Sequence, residues 1–135
     1  MRKDWDSYFM DIAFNVQERS TCPRLQVGSV IVKDKHLVST GFNGSAPKLE
    51  HCEDVGCLMI SGRCRRTIHS EVNAIINCSV EQRKGATIYV TAQPCIDCSK
   101  LIIASGITRV VFALEYPPDY DFFKDAPWIQ VKHFA

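Results

Sequence analysis

The chain has 135 residues, 46% of them hydrophobic and 23% charged, with a formal net charge of +1. That balance belongs to a globular domain and excludes a disordered tail; the length predicts one domain over residues 1–135 that buries about two thirds of its unfolded surface, so no metal is needed merely to hold it together. The near-neutral charge excludes a dedicated nucleic-acid binder, no stretch suits a membrane span, and seven cysteines argue for metal ligands and buried thiols in a reducing compartment over a disulfide framework.

The start, Met1-Arg2-Lys3-Asp4-Trp5-Asp6, is charged and has no apolar segment, so no secretory signal is visible and a cytoplasmic protein is expected. Trp5, Phe9, Ile12, Ala13 and Val16 recur at helical spacing with Asp4 or Asp6 available as a cap, which predicts a helix over residues 6–19. Ser20-Thr21-Cys22-Pro23-Arg24 ends it, because Pro23 disfavours a helical conformation at Cys22. Residues 27–33 and 37–42 are rich in β-branched and apolar side chains, and Asp34-Lys35-His36 between them suits a turn, so they predict a hairpin. Gly41-Phe42-Asn43-Gly44 closes the second strand; Gly and Asn there permit unusual backbone angles and close approach to a ligand.

Residues 45–67 show little periodicity and hold His51, Cys52, Cys57 and Cys64. Long irregular loops in compact domains are usually functional or internally stapled, and a metal is one such staple. Residues 68–78 return to helical spacing through Val72, Ile75 and Ile76, which puts His69 and Glu71 near a helix start, with Cys78 in the core. Residues 87–91 are a third strand, and Pro94 suits the first turn of a helix running to Ser105 with Gly106 as its stop. Residues 109–114 form a fourth strand, parallel to the third by the handedness of strand–helix–strand crossovers. Tyr116-Pro117-Pro118 ends it, and residues 129–134 add a strand or edge; His36 and His133 read as surface residues.

Two stretches carry chemistry: Pro94-Cys95-Ile96-Asp97-Cys98 and His69-Ser70-Glu71. Residues at i and i+3 share a helix face, so Cys95 and Cys98 can both reach one metal from a first turn, where the partial positive charge of the helix end favours thiolate. His69 completes three zinc ligands, which is a catalytic inventory, because a structural site is normally closed by four. A zinc so held lowers the pKa of bound water toward neutrality. Glu71, pointing another way from its helix, stands beside the metal as general acid and base. His-x-Glu with Pro-Cys-x-x-Cys is the pattern of the zinc nucleobase deaminases, in which the carbon bearing the exocyclic amine is attacked and ammonia leaves.

Taken with Thr21-Cys22-Pro23-Arg24, Val27-Gly28, Gly41-Phe42-Asn43-Gly44, Arg66-Thr67-Ile68 and Tyr116, these motifs give a chain that resembles the deoxycytidylate deaminases over nearly its whole length. The resemblance implies an α/β fold of the cytidine deaminase-like kind, a three-layer sandwich with a mixed sheet of about five strands between helices. It implies zinc-dependent conversion of dCMP to dUMP and ammonia, with Asn43 near the deoxyribose hydroxyl, the Ser70 backbone near the pyrimidine carbonyl, and Arg24 with Tyr116 around the 5′-phosphate, a task that suits a guanidinium. It further implies a homo-oligomer, a hexamer, activated by dCTP with Mg2+ and inhibited by dTTP, with Gly41, Phe42, Asn43 and Gly44 as effector loop. Phe42 stands where Tyr is common, Ser70 where Ala is usual, and Ala92-Gln93 where Glu or an aromatic residue is more familiar. Those departures touch the pocket rim.

Cys22, Cys52, Cys57 and Cys64, with His51 as a substitute, offer a second, structural zinc site, against the alternative of free buried thiols. Arg24 is alternatively a solvated charge, Tyr116 a core or interface aromatic, and Arg63, Arg65 and Arg66 either collect phosphates or solvate the loop. Competing functions are deamination of dCTP, of a 5-modified cytosine nucleotide or of a base in RNA, and a non-catalytic zinc-bound interaction module. The last gives no reason for Glu71.

Overall fold

Alternation along the central strands dictates the architecture. In a computed structural model describing residues 1–135, Ile31, Ile88, Val90 and Val110 turn to one face of the sheet, while Val30, Val32, Tyr89 and Val111 turn to the other, and all are buried. Strands buried on both faces require a layer of chain on each. Helix α1 (Trp5–Gln17) covers the second face with Phe9, Met10 and Ala13. The first face takes α3 (Ser70–Ile76), through Ala74 and Ile75, and α5 (Ile96–Ser105), through Ile102.

The sheet runs β2 (His36–Phe42), β1 (Gly28–Lys33), β5 (Thr87–Ala92), β6 (Arg109–Leu114), β7 (Gln130–His133). β1 is antiparallel to both of its neighbours, whereas β5, β6 and β7 run parallel, Thr87 opposite Arg109 and Arg109 opposite Gln130. This is the expected mixed five-stranded α/β sheet. No helix is long and apolar enough to cross a membrane.

Element ends differ from the periodicity for local reasons. α1 starts at Trp5 because the Asp4 carboxylate accepts from the Ser7 N–H (2.7 Å), and it stops at Gln17 because Arg19 and Ser20 bond three residues back, tightening the last turn. α3 starts at Ser70 and not Ile68, since Ile68 is held extended in an antiparallel bridge with Gly44. It ends at Ile76, and Ser79 caps a separate short helix α4 (Val80–Arg83). Cys95 lies at the N-cap of α5 with an extended backbone, where the spacing placed it inside the first turn. Gly106 adopts the left-handed conformation expected of a helix stop (φ 92°).

The aperiodic stretch has structure of its own. It holds a helical turn α2 (Cys52–Val55) and a small hairpin of β3 (Met59–Ile60) with β4 (Arg63–Cys64). Ser61 and Gly62 both have positive φ (54° and 77°), the form that lets a two-residue turn follow the strand twist. Two-residue strands leave too little pattern to read. A short 3-10 turn, Phe122–Asp125, capped by the Asp121 carboxylate, leads into β7 and likewise has no periodic signal.

Candidate metal centre and active cavity

The end of β5 and the starts of α3 and α5 meet on one side of the sheet. There His69 Nδ1 lies 3.4 Å from Cys95 Sγ and 3.3 Å from Cys98 Sγ, and the three ligand atoms all fall within 4.8 Å of one another. A tetrahedral zinc, with bonds of about 2.3 Å to sulfur and about 2.0–2.1 Å to nitrogen, separates S and N by roughly 3.6 Å. The donor set therefore fits that ion. Cys98 is buried, Cys95 half-buried and His69 exposed, so the centre is reached from the His69 side.

Electrostatics prepare the sulfurs. The Cys95 thiol is held down to about 3, first by its hydrogen bond with Cys98 and, against burial, by that with His69; Cys98 is pushed far up by its contact with Cys95 and by burial. The pair thus shares one proton. His69 is raised, first by its hydrogen bond with Cys95. Nδ1, the ring nitrogen turned to both sulfurs, is the one that would bind the metal.

Glu71 is buried, 4% exposed, and burial raises its carboxyl above the usual range. Ser70 Oγ donates to Glu71 Oε1 (2.9 Å) and is itself bonded to Ser29 Oγ (2.7 Å); both serines are fully buried. Since the Ser70 proton is committed to Glu71, Ser29 must donate to Ser70.

A cavity of about 400 Å³ brings these groups together with the remaining sequence candidates. His69, Ser70, Glu71 and Cys95 line it, and so do Arg24, Asn43 and Tyr116. Arg24 is exposed, with Nη1 2.8 Å from Met59 Sδ on β3, and Tyr116 stands at the rim, 61% exposed. The Asn43 amide is engaged within the chain, Oδ1 accepting from the Val27 N–H (2.8 Å) and Nδ2 donating to the Leu25 carbonyl (2.6 Å), so the side chain also shapes the wall at 25–27.

Gly41 passes against α3 so closely that a Cβ would lie 2.3 Å from the Ser70 carbonyl oxygen. Phe42 O accepts from Asn73 Nδ2 (2.8 Å), and Gly44 exchanges both backbone hydrogen bonds with Ile68, which joins the 41–44 loop to the residue before His69. Of the three neighbouring arginines, Arg63 lines the cavity, whereas Arg66 Nε is tied to the Gly56 carbonyl (3.0 Å). Sequence reasoning missed one group, Ser29. It had no local signal, whereas Ala92 and Gln93, placed at the pocket rim by the sequence, do line the cavity.

Cys22, Cys52, Cys57 and Cys64 gather with all four sulfurs within 4.8 Å of one another, Cys52 and Cys64 at 3.5 Å. His51 is not among them; it stands at the N-cap of α2, its Nδ1 buried without a partner. Burial and the contact with Cys64 push Cys52 up to about 12, whereas Cys64 comes down to about 6: against burial, hydrogen bonds from the Arg66 backbone and Cys52 lower it.

Residues 3–114 match the family model of the cytidine and deoxycytidylate deaminase zinc-binding region. The chain is 50% identical over 117 residues to ComE operon protein 2 of Bacillus subtilis, covering 85% of this chain and 62% of that protein. It is 42% identical over 125 residues to the deoxycytidylate deaminase of Mycobacterium phage D29, covering 84% of this chain and 98% of that one. The solved structure of dCMP deaminase from the cyanophage S-TIM5 in complex with dCMP and dUMP superposes with a TM-score of 0.82 at 26% identity, over 99% of both chains.

Proposed function

The chain belongs to the cytidine and deoxycytidylate deaminase family, and from that premise we propose that it deaminates dCMP to dUMP in the cytoplasm, with Glu71 as proton carrier and His69, Cys95 and Cys98 as zinc ligands. The observation that carries the reading is the position of a buried carboxylate beside a three-ligand donor set, in one cavity with Arg24, Asn43 and Tyr116. The zinc-dependent chemistry of the family uses the metal as a Lewis acid that brings the pKa of water toward neutrality.

The chain's own residues do the rest. Overall, water adds a C–O bond at C4, the C4–amine bond breaks, and ammonia leaves. Ser70 holds Oε1 of Glu71, so Oε2 carries both protons of the water in turn, the first to the ring nitrogen N3 and the second, from the added hydroxyl, to the amine that departs as ammonia. Arg24 and Tyr116 meet the 5′-phosphate, the guanidinium by paired hydrogen bonds to its oxygens. Asn43 holds the 25–27 wall and presents its edge to the sugar. Glu71→Gln keeps size and zinc content while removing the titrating oxygen, and kcat falls about 10²- to 10⁴-fold. Full activity in that variant would overturn the assignment. Ammonia release measured with dCMP, dCTP, deoxycytidine, a 5-modified dCMP and a tRNA separates the substrate classes; release from the tRNA alone would move the chain to RNA.

The four-cysteine cluster is read as a structural zinc site, since four thiolates close the coordination sphere and staple the 45–67 stretch to Cys22. Regulation is read from the resemblance: dCTP with Mg2+ and dTTP act at the 41–44 loop of a homo-hexamer. The bridge from Gly44 to Ile68 supports it by giving that loop a direct mechanical link to His69. Light scattering of the native chain and dCMP kinetics with and without dCTP test both statements, and a monomer indifferent to dCTP refutes them.

A further inference from the structure

A second cavity of about 360 Å³ lies behind Pro94, walled by Ser99, Phe112, Asp121 and Phe123. Gln93 lines both this cavity and the one holding Glu71, so its side chain stands in the partition between them. The segment from Glu115 to Asp121, which carries Tyr116, runs as an irregular strap from the end of β6, and Pro118 on it borders the second cavity.

The strap has little to hold it. Among the backbone N–H groups of residues 115–121, that of Tyr116 is the one that finds an acceptor in the chain, and the acceptor is Gln93 Oε1 at 3.0 Å. The Gln93 backbone N–H in turn donates to the Leu114 carbonyl at 2.8 Å, so one residue holds the end of β6 by main chain and the strap that leaves it by side chain. Pro117 and Pro118 have no N–H to offer. Tyr116 itself is 61% exposed, so packing alone does not fix it. Gln93 is two residues from Cys95, at the end of the strand that delivers the metal-binding motif.

We propose that Gln93 is a positioning residue for substrate: it latches the Tyr116 strap to the end of β5 and so sets where Tyr116 meets the anionic end of a nucleotide. The inference rests on the reading above that Tyr116 faces the phosphate. A latch of this kind acts on binding of the phosphorylated substrate and leaves the proton transfers at Glu71 alone.

The test replaces the amide by apolar groups of similar length, Gln93→Leu and Gln93→Met, in the full chain with zinc bound. The expected result is a KM for dCMP about five- to tenfold higher, from the loss of one hydrogen bond, with a smaller change in kcat and zinc content unchanged. Amide hydrogen exchange at Tyr116 quickens. In a Tyr116→Ala background neither Gln93 variant raises KM further, because the latch acts only through Tyr116. An unchanged KM, a fall in kcat alone, or full additivity with Tyr116→Ala would overturn the proposal. Failure of the parent chain to deaminate any cytosine nucleotide would instead sink the functional reading, and exchange at Tyr116 would still decide whether the latch exists.

Discussion

Asp6→Asn probes the contact that closes the fold at its α1 edge. Asp6 Oδ1 accepts from Tyr89 Oη (2.7 Å) and Arg109 Nη1 (2.8 Å), and Oδ2 from Arg109 Nη2 (2.8 Å) and Lys132 Nζ (2.7 Å), so one carboxylate joins α1 to β5, β6 and β7. Ion pairs range from about 0–1 kcal/mol when exposed to about 3–5 when a buried one is broken. With side-chain exposures of 14% for Asp6 and 26% for Arg109, this bidentate pair sits between the limits. Lys132, 46% exposed, adds little. We expect a loss of about 2–3 kcal/mol, because the amide offers one acceptor oxygen to four donor atoms on three side chains. At an unfolding entropy of about 0.28 kcal/mol/K for 135 residues, that lowers Tm by roughly 7–10 °C.

The pH dependence has a definite sign. Arg109 first, then Lys132 and Tyr89, hold the Asp6 carboxyl well below its ordinary 3.8 against the opposing effect of burial. A depressed carboxyl contributes stability that is complete above the unfolded value and lost as pH falls through the folded one. The Tm gap between parent and Asp6→Asn is therefore constant near neutrality and narrows as pH drops below about 3.8. Acid release of zinc is common to both chains and cancels in the difference. Thermal unfolding followed by circular dichroism at several pH values measures it, with dCMP turnover at 25 °C expected unchanged because α1 covers the face opposite α3 and α5. A Tm shift under about 2 °C, or a gap that widens in acid, would refute the reasoning.

Gly41→Ala places a methyl 2.3 Å from the Ser70 carbonyl oxygen and 2.4 Å from the Ala74 amide nitrogen, both backbone atoms of α3. The helix must move, at a cost of about 1–3 kcal/mol in denaturant melts and a lower kcat, since Ser70 and Glu71 ride on it. Cys57→Ser removes one sulfur of the four-cysteine cluster; Cys57 does not line the catalytic cavity, although Cys22 and Cys64 of the same cluster do. Zinc per chain, measured by elemental analysis, is expected to fall from two to one, while Glu71-dependent turnover of dCMP persists.

Legibility followed sequence distance. Hydrogen bonds and packing set by near neighbours left a mark in the string: Asp4 before α1, Gly106 after α5, the apolar alternation of β1, β5 and β6, and the two metal motifs at helix starts. The helix over residues 68–78 came out shorter because Ile68 is held by Gly44, a partner 24 positions back along the chain. Likewise β3 and β4 are two residues each, and the cysteines beside them, more than any strand pattern, signal that the stretch is organised. Asn43 was legible as a site residue by its place in Gly41-Phe42-Asn43-Gly44, yet its bonds to Leu25 and Val27 show that the loop and the 25–27 wall are built as one piece.

The Ser29–Ser70–Glu71 chain shows what a string of letters withholds. Ser70 is adjacent to Glu71, and the resemblance marks it for its backbone and as a departure from Ala, not for its hydroxyl. Its hydroxyl has one proton, and the 2.9 Å contact gives it to Glu71 Oε1; the 2.7 Å contact to Ser29 then fixes Ser29 as donor, and the direction of the whole chain follows. Ser29 is 41 residues away on β1 and faces Ser70 only because β1 packs against the start of α3. Hydrogen bonds that run in one direction polarise one another, so Ser29 strengthens the grip of Ser70 on a buried carboxylate that it never touches. Removing Ser29 alone would leave Ser70 with an unfilled acceptor in a dry site, which is why the two serines are expected to act as a unit and their substitutions to combine non-additively.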